Sequence, residues 1–152
     1  MPSIEQTIKT NIKKYGHHII HVMADEDDEA DFAYTIGLYE TYGKPEIIMI
    51  GQDQELLQIV LNNLAYDYKE GRTLTDNKLE DEILDDYKCM VVNVDKEHYE
   101  EFLGLAMDYY KGTDFDVMQV IWPTQAGMFP YDENAPEDFK EWQPVLGKVN
   151  KK

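Results

Sequence analysis

Histidine is the residue type in this chain whose spacing first suggests chemistry, because imidazoles bind metal ions and exchange protons near neutral pH. Three of the four histidines, His17, His18 and His21, lie within five consecutive residues. The segment around them is short and β-branched, which predicts a strand with side chains on alternating faces. His17 and His21 would share a face about 13 Å apart, too far to bind one metal ion together. We therefore predict an edge-strand or exposed histidine cluster with no metal, and a surface or helix-capping position for His98.

Clustered carboxylates are the second set of candidate metal ligands, since hard divalent cations prefer oxygen. An acidic run begins at Asp25, but a calcium loop of the EF-hand type needs glycine at its sixth position and a bidentate glutamate at its twelfth. Ala30 and Ile36 occupy those positions. The run is therefore interpreted as a solvated hairpin tip. The acids of residues 80–86 are interpreted as a charged solvent face, with a loose divalent-ion site as the alternative.

Glu46 is a candidate functional carboxylate because it follows Pro45 at the start of an apolar run. In that position it could act as a general base or orient a ligand. Alternatively, it could be a structural acceptor of hydrogen bonds from turn amides near Gly37 or Gly43. The sequence leaves both interpretations open.

Tyr34 and Thr35 are candidate ligand-binding residues because they end a predicted strand, where ligand groups often converge. With Glu46 they define a candidate pocket, over which Trp122 could form an aromatic lid. Alternatively, a Tyr-Thr pair suits any half-buried strand, and Trp122 could simply anchor the C-terminal segment on the body of the protein.

The charge balance of the 152-residue chain narrows the classes of function. Its 14 Lys and Arg and 31 Asp and Glu give a formal net charge of 14 − 31 = −17. Such a chain repels phosphate backbones and anionic headgroups, which argues against binding to nucleic acid or to a membrane surface. Arg72, Ser3 and Cys89 are each the single residue of their type. This argues against bidentate phosphate clamps, serine nucleophiles, disulfides and cysteine-rich metal sites.

The remaining composition predicts a cytoplasmic protein with one domain. No run of about 18 apolar residues is present, the first residues lack the apolar stretch of a signal peptide, and one thiol suits a reducing compartment. Cys89 lies in an apolar run, which predicts a buried, unreactive thiol. With 43% hydrophobic residues, we expect a single domain over residues 1–152, with a core from about 16 to 147 and a frayed end over 148–152.

The candidate residues are positioned by helices and strands that the hydrophobic periodicity predicts. Three segments carry an apolar stripe at helical spacing between a capping residue and a glycine, and one polar stretch carries a helical turn. These are the helices over residues 3–16, 53–71 and 95–112, and the turn around residues 79–84. Short apolar runs predict strands over residues 17–24, 32–38, 46–51, 89–94 and 116–122.

This order of elements predicts an α+β fold, in which two or three helices cover a mixed sheet of about five strands. The first two strands form a hairpin, and the strand that begins at Glu46 is buried on both faces. Residues 123–147 contain four of the six prolines. They predict an aromatic and proline-rich C-terminal tail that packs on the body.

An ordered series of motifs extends over residues 16–147. It begins with FAYTIGLYETYGKPEIIMIGQ and a leucine-rich helix containing LNNL, continues with VMQVIWPTQAGMFPYD and closes with WQPVLG. In this order the motifs resemble the bacterial domain-of-unknown-function family 4262. Tyr34, Thr35, Glu46 and Trp122 all belong to the pattern that carries the resemblance.

The chain departs from the family pattern at two positions. Family members often carry an acidic residue after Trp-Pro and a tryptophan after Phe-Pro, where this chain has Thr124 and Tyr131. An activity that needs the acidic residue would be lost at Thr124. The resemblance implies the extent of the fold and no activity, cofactor or partner.

Two classes of function fit these observations. The first is a protein-binding module that neutralises a basic partner, as small acidic immunity proteins neutralise toxins, because negative charge steers a basic protein and aromatic side chains anchor interfaces. The second is a small-molecule-binding domain or enzyme with a pocket near Tyr34, Thr35 and Glu46. No motif sets a nucleophile beside a base. The sequence therefore favours binding over catalysis and indicates no cofactor.

Overall fold

The structure is a computed structural model that describes residues 3–26 and 29–150. Helices, strands and one 3₁₀ turn alternate along these residues. The helices are α1 (Ile4–Tyr15), α2 (Leu38–Tyr42), α3 (Gln54–Lys69), α4 (Tyr99–Phe102), α5 (Gly104–Tyr110) and α6 (Glu137–Trp142), and the 3₁₀ turn is Lys96–His98. The strands are β1 (His18–Val22), β2 (Phe32–Ile36), β3 (Glu46–Ile50), β4 (Lys78–Glu80), β5 (Cys89–Asn93) and β6 (Val117–Ile121).

The strands of the described residues form one mixed sheet in the order β1-β2-β3-β6-β5-β4. β3 and β6 are parallel, and all other neighbours are antiparallel. β1 and β2 form the predicted hairpin, in which His18 lies opposite Ile36. The α+β class and the mixed sheet are therefore confirmed, with one strand and several short helices more than the sequence predicts.

The additional strand, β4, occupies part of the segment for which the sequence predicts a helical turn. That prediction is wrong because the main chain of Leu79 pairs with Met90 of β5 instead of closing a helical turn. Residues 81–86 continue as a series of bends. A three-residue edge strand with an exposed leucine has no hydrophobic pattern of its own, so its pairing depends on β5.

The sheet separates two apolar layers. On one face, Leu57 of α3 packs in a cluster with Ile47 and Met49. On the other face, α1, α4 and α5 pack in a cluster that contains Ile48 and Ile50. Alternate side chains of β3 thus enter opposite layers. All five of its residues are buried, as the near-continuous apolar run predicts.

The first two long helices begin as the sequence predicts. Ser3 and Gln6 form the capping box at the start of α1, and the Asp53 side chain accepts a hydrogen bond from Leu56 N at 2.8 Å at the start of α3. These caps satisfy main-chain N–H groups that have no partner within the helix.

The third predicted helix, over residues 95–112, is wrong as a continuous element. It is divided into the 3₁₀ turn, α4 and α5, because Leu103 leaves the helical conformation with φ −123° and ψ 35°. Asp95 makes no side-chain capping hydrogen bond. The break lets Leu103 become fully buried and leaves Gly104, a poor helix former, at the first position of α5. The segment between β2 and β3, predicted as a turn, contains the short helix α2.

The C-terminal tail packs on the body at the end of β3. The indole N–H of Trp142 donates to Gly51 O at 2.8 Å, and that of Trp122 donates to Ile50 O at 2.7 Å. Gly51 has φ +101°, and a Cβ there would lie 2.9 Å from the Trp122 ring. Glycine is therefore required for the close approach of the tail. Gln143 reinforces the contact, since its side chain accepts from Trp122 N and donates to Trp122 O.

The last described residues are also attached to the body. The Asn77 side chain donates to Lys148 O at 3.0 Å and accepts from Asn150 N at 2.6 Å. These hydrogen bonds connect the residues after Gly147 to the segment before β4, and Lys151 and Lys152 lie outside the described range. None of the helices in the described ranges is both long and apolar enough to cross a bilayer.

We expect Gly147→Ala to lower the free energy of unfolding by about 2–3 kcal/mol, because a Cβ at this position would lie 1.9 Å from Asn93 O and would force the tail away from β5. Gly104→Ala is the control, since a Cβ there meets no atom within 4 Å. Urea denaturation measures both changes. Equal midpoints for Gly147→Ala and the wild type would contradict this packing of the tail.

Candidate functional site

The carboxylate of Glu46 is bonded to the turn between β2 and α2. Its Oε1 accepts from Leu38 N at 3.1 Å, and its Oε2 accepts from Gly37 N at 2.9 Å and Tyr39 N at 3.1 Å. The Thr35 hydroxyl donates to Oε1 at 2.8 Å. These three amides belong to the start of α2, where the helix dipole favours a negative charge.

Tyr110 completes this arrangement from α5. Its hydroxyl donates to Glu46 Oε2 at 2.5 Å and accepts from Gly37 N at 3.2 Å. The carboxylate therefore receives hydrogen bonds from β2, the β2–α2 turn and a helix that follows 64 residues later. Burial raises the pKa of the Glu46 carboxyl, and the hydrogen bonds from Tyr110 and Thr35 act in the opposite direction. Burial and the negative charge of Glu46 raise the pKa of Tyr110.

The geometry of Glu46 corresponds to the structural alternative. The residue is 0% exposed, and both carboxylate oxygens are engaged by donors of the protein itself. A ligand would have to displace those donors to reach either oxygen. Glu46 is therefore a buried acceptor that fixes the β2–α2 turn.

The four candidate residues do not converge on one pocket. Thr35 donates to Glu46, whereas Tyr34, in the layer that α5 covers, makes a different contact. There the Tyr34 hydroxyl accepts from Leu105 N at 3.3 Å, and burial raises its pKa to about 12. Trp122 contacts the carbonyl of Ile50, which is the last residue of β3, whereas Glu46 is the first. The two ends of this strand are about 13 Å apart.

The histidine cluster lies on β1, the edge strand of the sheet, as the sequence predicts. His17 hydrogen-bonds Asn62 of α3 at 2.9 Å, and His21 hydrogen-bonds Gln58 of the same helix. His18 points to the other face, where its Nδ1 lies 2.8 Å from Asn11 Nδ2 of α1. The alternation predicted for a strand thus directs His18 to α1, and His17 and His21 to α3.

A group of potential metal ligands that the sequence did not indicate lies in the 3₁₀ turn and at the residue before it. One ligand atom each from Asp95, Glu97 and His98 lie within 4.8 Å of one another. Two carboxylates and an imidazole are suitable ligands for a divalent cation. The sequence signal, an Asp, a Glu and a His within four residues, is too common in an acidic chain to have identified the group.

The acids of the β1–β2 hairpin tip are only partly described. Asp25, Glu26 and Glu29 are exposed, as a solvated tip requires, and Asp27 and Asp28 lie outside the described residues. Glu26 and Glu29 border an open cleft of about 350 Å³ next to Trp142.

A second acidic region follows β4 and borders two adjoining clefts. The first, of about 710 Å³, is lined by Asn63 and Asp81–Lys88. The second, of about 310 Å³, shares Leu84–Tyr87 and adds Gln52, Leu56 and Trp122–Gln125. We refer to the two together as the acidic cleft. It is the surface at which the candidate residue Trp122 is located.

A cleft without aspartate, glutamate, lysine or arginine in its lining lies at the β1 edge. It has a volume of about 400 Å³ and is lined by Asn11, Tyr15, His17, His18, Ile19, Gln58 and Asn62. We refer to it as the neutral cleft. It contains none of the residues that the sequence selected as ligand-binding candidates.

Comparison with known proteins identifies the family. The model of a family described as a domain of unknown function (DUF4262) matches residues 11–136. The chain belongs to this family. The matched range contains Tyr34, Thr35, Glu46 and Trp122, and the resemblance in the ordered motifs is thereby confirmed. Neither the curated proteins nor the solved structures include a significant match to this DUF4262 chain.

We expect Glu46→Gln to lower the free energy of unfolding by about 3 kcal/mol, because the new amide would lose charge-assisted hydrogen bonds and would direct N–H groups at the turn amides. Glu40→Gln is the matched control, since Glu40 is exposed and its hydrogen bond comes from the Tyr109 hydroxyl. Urea denaturation distinguishes the two variants. A loss below about 0.5 kcal/mol for Glu46→Gln would rule out the structural role.

We expect the Cys89 thiol of the native protein to resist alkylation at mildly alkaline pH. The residue is 0% exposed, and burial raises its pKa to about 12, so the reactive thiolate is scarce and inaccessible. Labelling with a maleimide, followed by mass spectrometry, measures the reaction. The same protein in urea is the control and should be labelled completely, whereas rapid labelling of the native protein would contradict the burial of this strand.

Proposed function

We propose that this DUF4262 chain is a protein-binding module of the cytoplasm, which binds and neutralises a basic protein partner through the acidic cleft. The observation that carries the proposal is the combination, within two adjoining clefts that share Leu84–Tyr87, of exposed carboxylates and half-buried apolar side chains. Either feature alone is common on protein surfaces. Together they offer both steering and anchoring to a partner.

The charge of the acidic cleft favours a basic occupant. Its four acids, Asp81, Glu82, Asp85 and Asp86, are all exposed, and Lys88 is the basic residue of the same lining. Carboxylates concentrated in a concave surface focus the negative potential, which raises the association rate of a positively charged partner. The same potential disfavours nucleic acid and anionic lipid as occupants.

The apolar part of the acidic cleft supplies rigid anchors. Trp122 is held by the hydrogen bond from its indole N–H to Ile50 O, and Leu84 packs against the α3 layer. Tyr87 is half-buried in the same lining. Aromatic side chains with fixed orientation lose little conformational entropy on binding. The cleft therefore suits a segment in which lysine or arginine flanks an apolar side chain.

The alternative, a small-molecule site or active site near Tyr34, Thr35 and Glu46, has less support. Each of these side chains is buried and hydrogen-bonded within the protein. The Thr35 hydroxyl donates to the Glu46 carboxylate, but both residues are 0% exposed, so a substrate has no access to this pair. Binding is therefore favoured over catalysis, and no cofactor is invoked.

The proposal is tested by affinity capture from the source cells at low salt, followed by binding measurements with the purified partner. We expect a basic partner, weaker binding at high salt, and inhibition of the partner's activity by one equivalent of this protein. In the test variant the four acids of the cleft are converted to their amides. We expect it to bind at least about tenfold more weakly.

The control variant carries the same change of net charge on a different surface. It converts four exposed acids, Glu97, Glu100, Glu101 and Asp108, to amides, and its affinity should stay within about twofold of the wild type. Tyr87→Ala tests the apolar anchor separately. Equal losses for the two fourfold variants, or a partner that is acidic, would disprove binding through the acidic cleft.

A further inference from the structure

The neutral cleft differs from the rest of the surface in its charge. The chain has 31 acidic residues, yet the lining consists of amides, imidazoles, a phenol and an isoleucine. The His18 imidazole is held neutral, since burial, followed by the proximity of His17 and His21, lowers its pKa. A ligand of this cleft therefore meets amides, a phenol and two imidazoles, with neither a carboxylate nor a lysine or arginine in the lining.

Two hydrogen bonds between side chains fix the walls of the neutral cleft. Asn11 Nδ2 donates to His18 Nδ1 at 2.8 Å, which joins α1 to β1. Asn62 Oδ1 accepts from His17 Nε2 at 2.9 Å, which joins α3 to β1. Among the described residues, the Asn11 carbonyl, the His18 Nε2–H and the Asn62 amide N–H groups make no further hydrogen bond, and His17 Nδ1 is buried without a partner. Such positioned donors and acceptors are a preorganised binding surface.

Two further residues shape the neutral cleft. Tyr15, at the end of α1, is 57% exposed; Lys14 Nζ lies over one face of its ring, 5.2 Å from the centroid, which leaves the other face for a ligand. Ile19, at 9% exposure, closes the lining on the β1 side. An aromatic face next to a dense set of hydrogen-bonding groups suits a ligand with an apolar C–H face and a polar edge.

We propose that the neutral cleft binds an uncharged saccharide. Hydroxyl groups both donate and accept, so a sugar matches side-chain amides, which offer both functions. An anion would be repelled by the net charge of −17, and a cation would find no carboxylate in the lining. The volume of about 400 Å³ lies within the usual range for small-ligand sites.

This inference is independent of the proposed function because the two clefts are separate surfaces. Asn62 lines the neutral cleft, whereas Asn63, the next residue of α3, lines the acidic cleft. Both side chains are exposed, so either can be truncated without opening the core. The pair therefore supplies a test variant and a matched control.

The experiment is an NMR titration of the ¹⁵N-labelled full chain with maltose, cellobiose or N-acetylglucosamine, with adenine as an uncharged ligand that contains no sugar. We expect at least one sugar to shift the side-chain amide signals of Asn11, Gln58 and Asn62 in a saturable manner, and to leave the Asn63 signals in place. Absence of such shifts with all three sugars, or a response to adenine alone, would refute a saccharide site.

The two asparagine variants then locate the binding. We expect Asn62→Ala to weaken the affinity for the active sugar about tenfold, since one hydrogen-bonding side chain is lost, and Asn63→Ala to leave it unchanged. Thermal denaturation should give both variants the wild-type midpoint, which shows that the fold is intact. Equal weakening by both variants, or by neither, would exclude the neutral cleft as the site.

Discussion

A single buried carboxylate connects the central strand of this protein to the elements around it. Burying the Glu46 carboxylate without hydrogen-bond donors would cost several kcal/mol. Without Glu46, the first main-chain amides of α2 would in turn be buried without acceptors. Each group satisfies the other, since Gly37, Leu38 and Tyr39 direct their N–H groups at the two carboxylate oxygens. The turn can direct its amides inwards because Gly37 has φ +114°. A side chain there would also approach Ile12 to 2.8 Å.

The same strand fixes the position of the C-terminal tail at its other end. Glu46 begins β3 and receives the Tyr110 hydroxyl, whereas Ile50 ends β3 and receives the Trp122 indole. The structural polar network and the acidic cleft are therefore at opposite ends of one rigid element. A partner bound to the acidic cleft would contact residues held by the tail and α3, while the buried carboxylate would remain inaccessible.

Helix α3 lies between the neutral cleft and the acidic cleft. Successive residues of a helix are rotated by about 100°, so neighbours in sequence face different environments. Asn62 contributes to the neutral cleft with the β1 histidines, and Asn63 contributes to the acidic cleft with residues 81–88. The negative charge of the chain is thus unevenly distributed. Because the two clefts are separate, a basic protein at one and an uncharged ligand at the other would bind independently.

The sequence by itself determined the features that depend on neighbouring residues. The capping box of Ser3, the cap at Asp53 and the two-sided burial of β3 are local patterns, and the structure contains all of them. Contacts between distant residues were decided by the tertiary structure. Hydrophobic periodicity predicts that a residue is buried, but it does not predict which distant residue will hydrogen-bond to it. Tyr110, which donates to Glu46, is 64 residues away in the sequence. Because these contacts join distant residues, the sequence did not decide between the two interpretations of Glu46. It also did not predict the pairing of β4 with β5 or the break at Leu103. The two clefts have walls from several elements, so they are visible only in the folded chain.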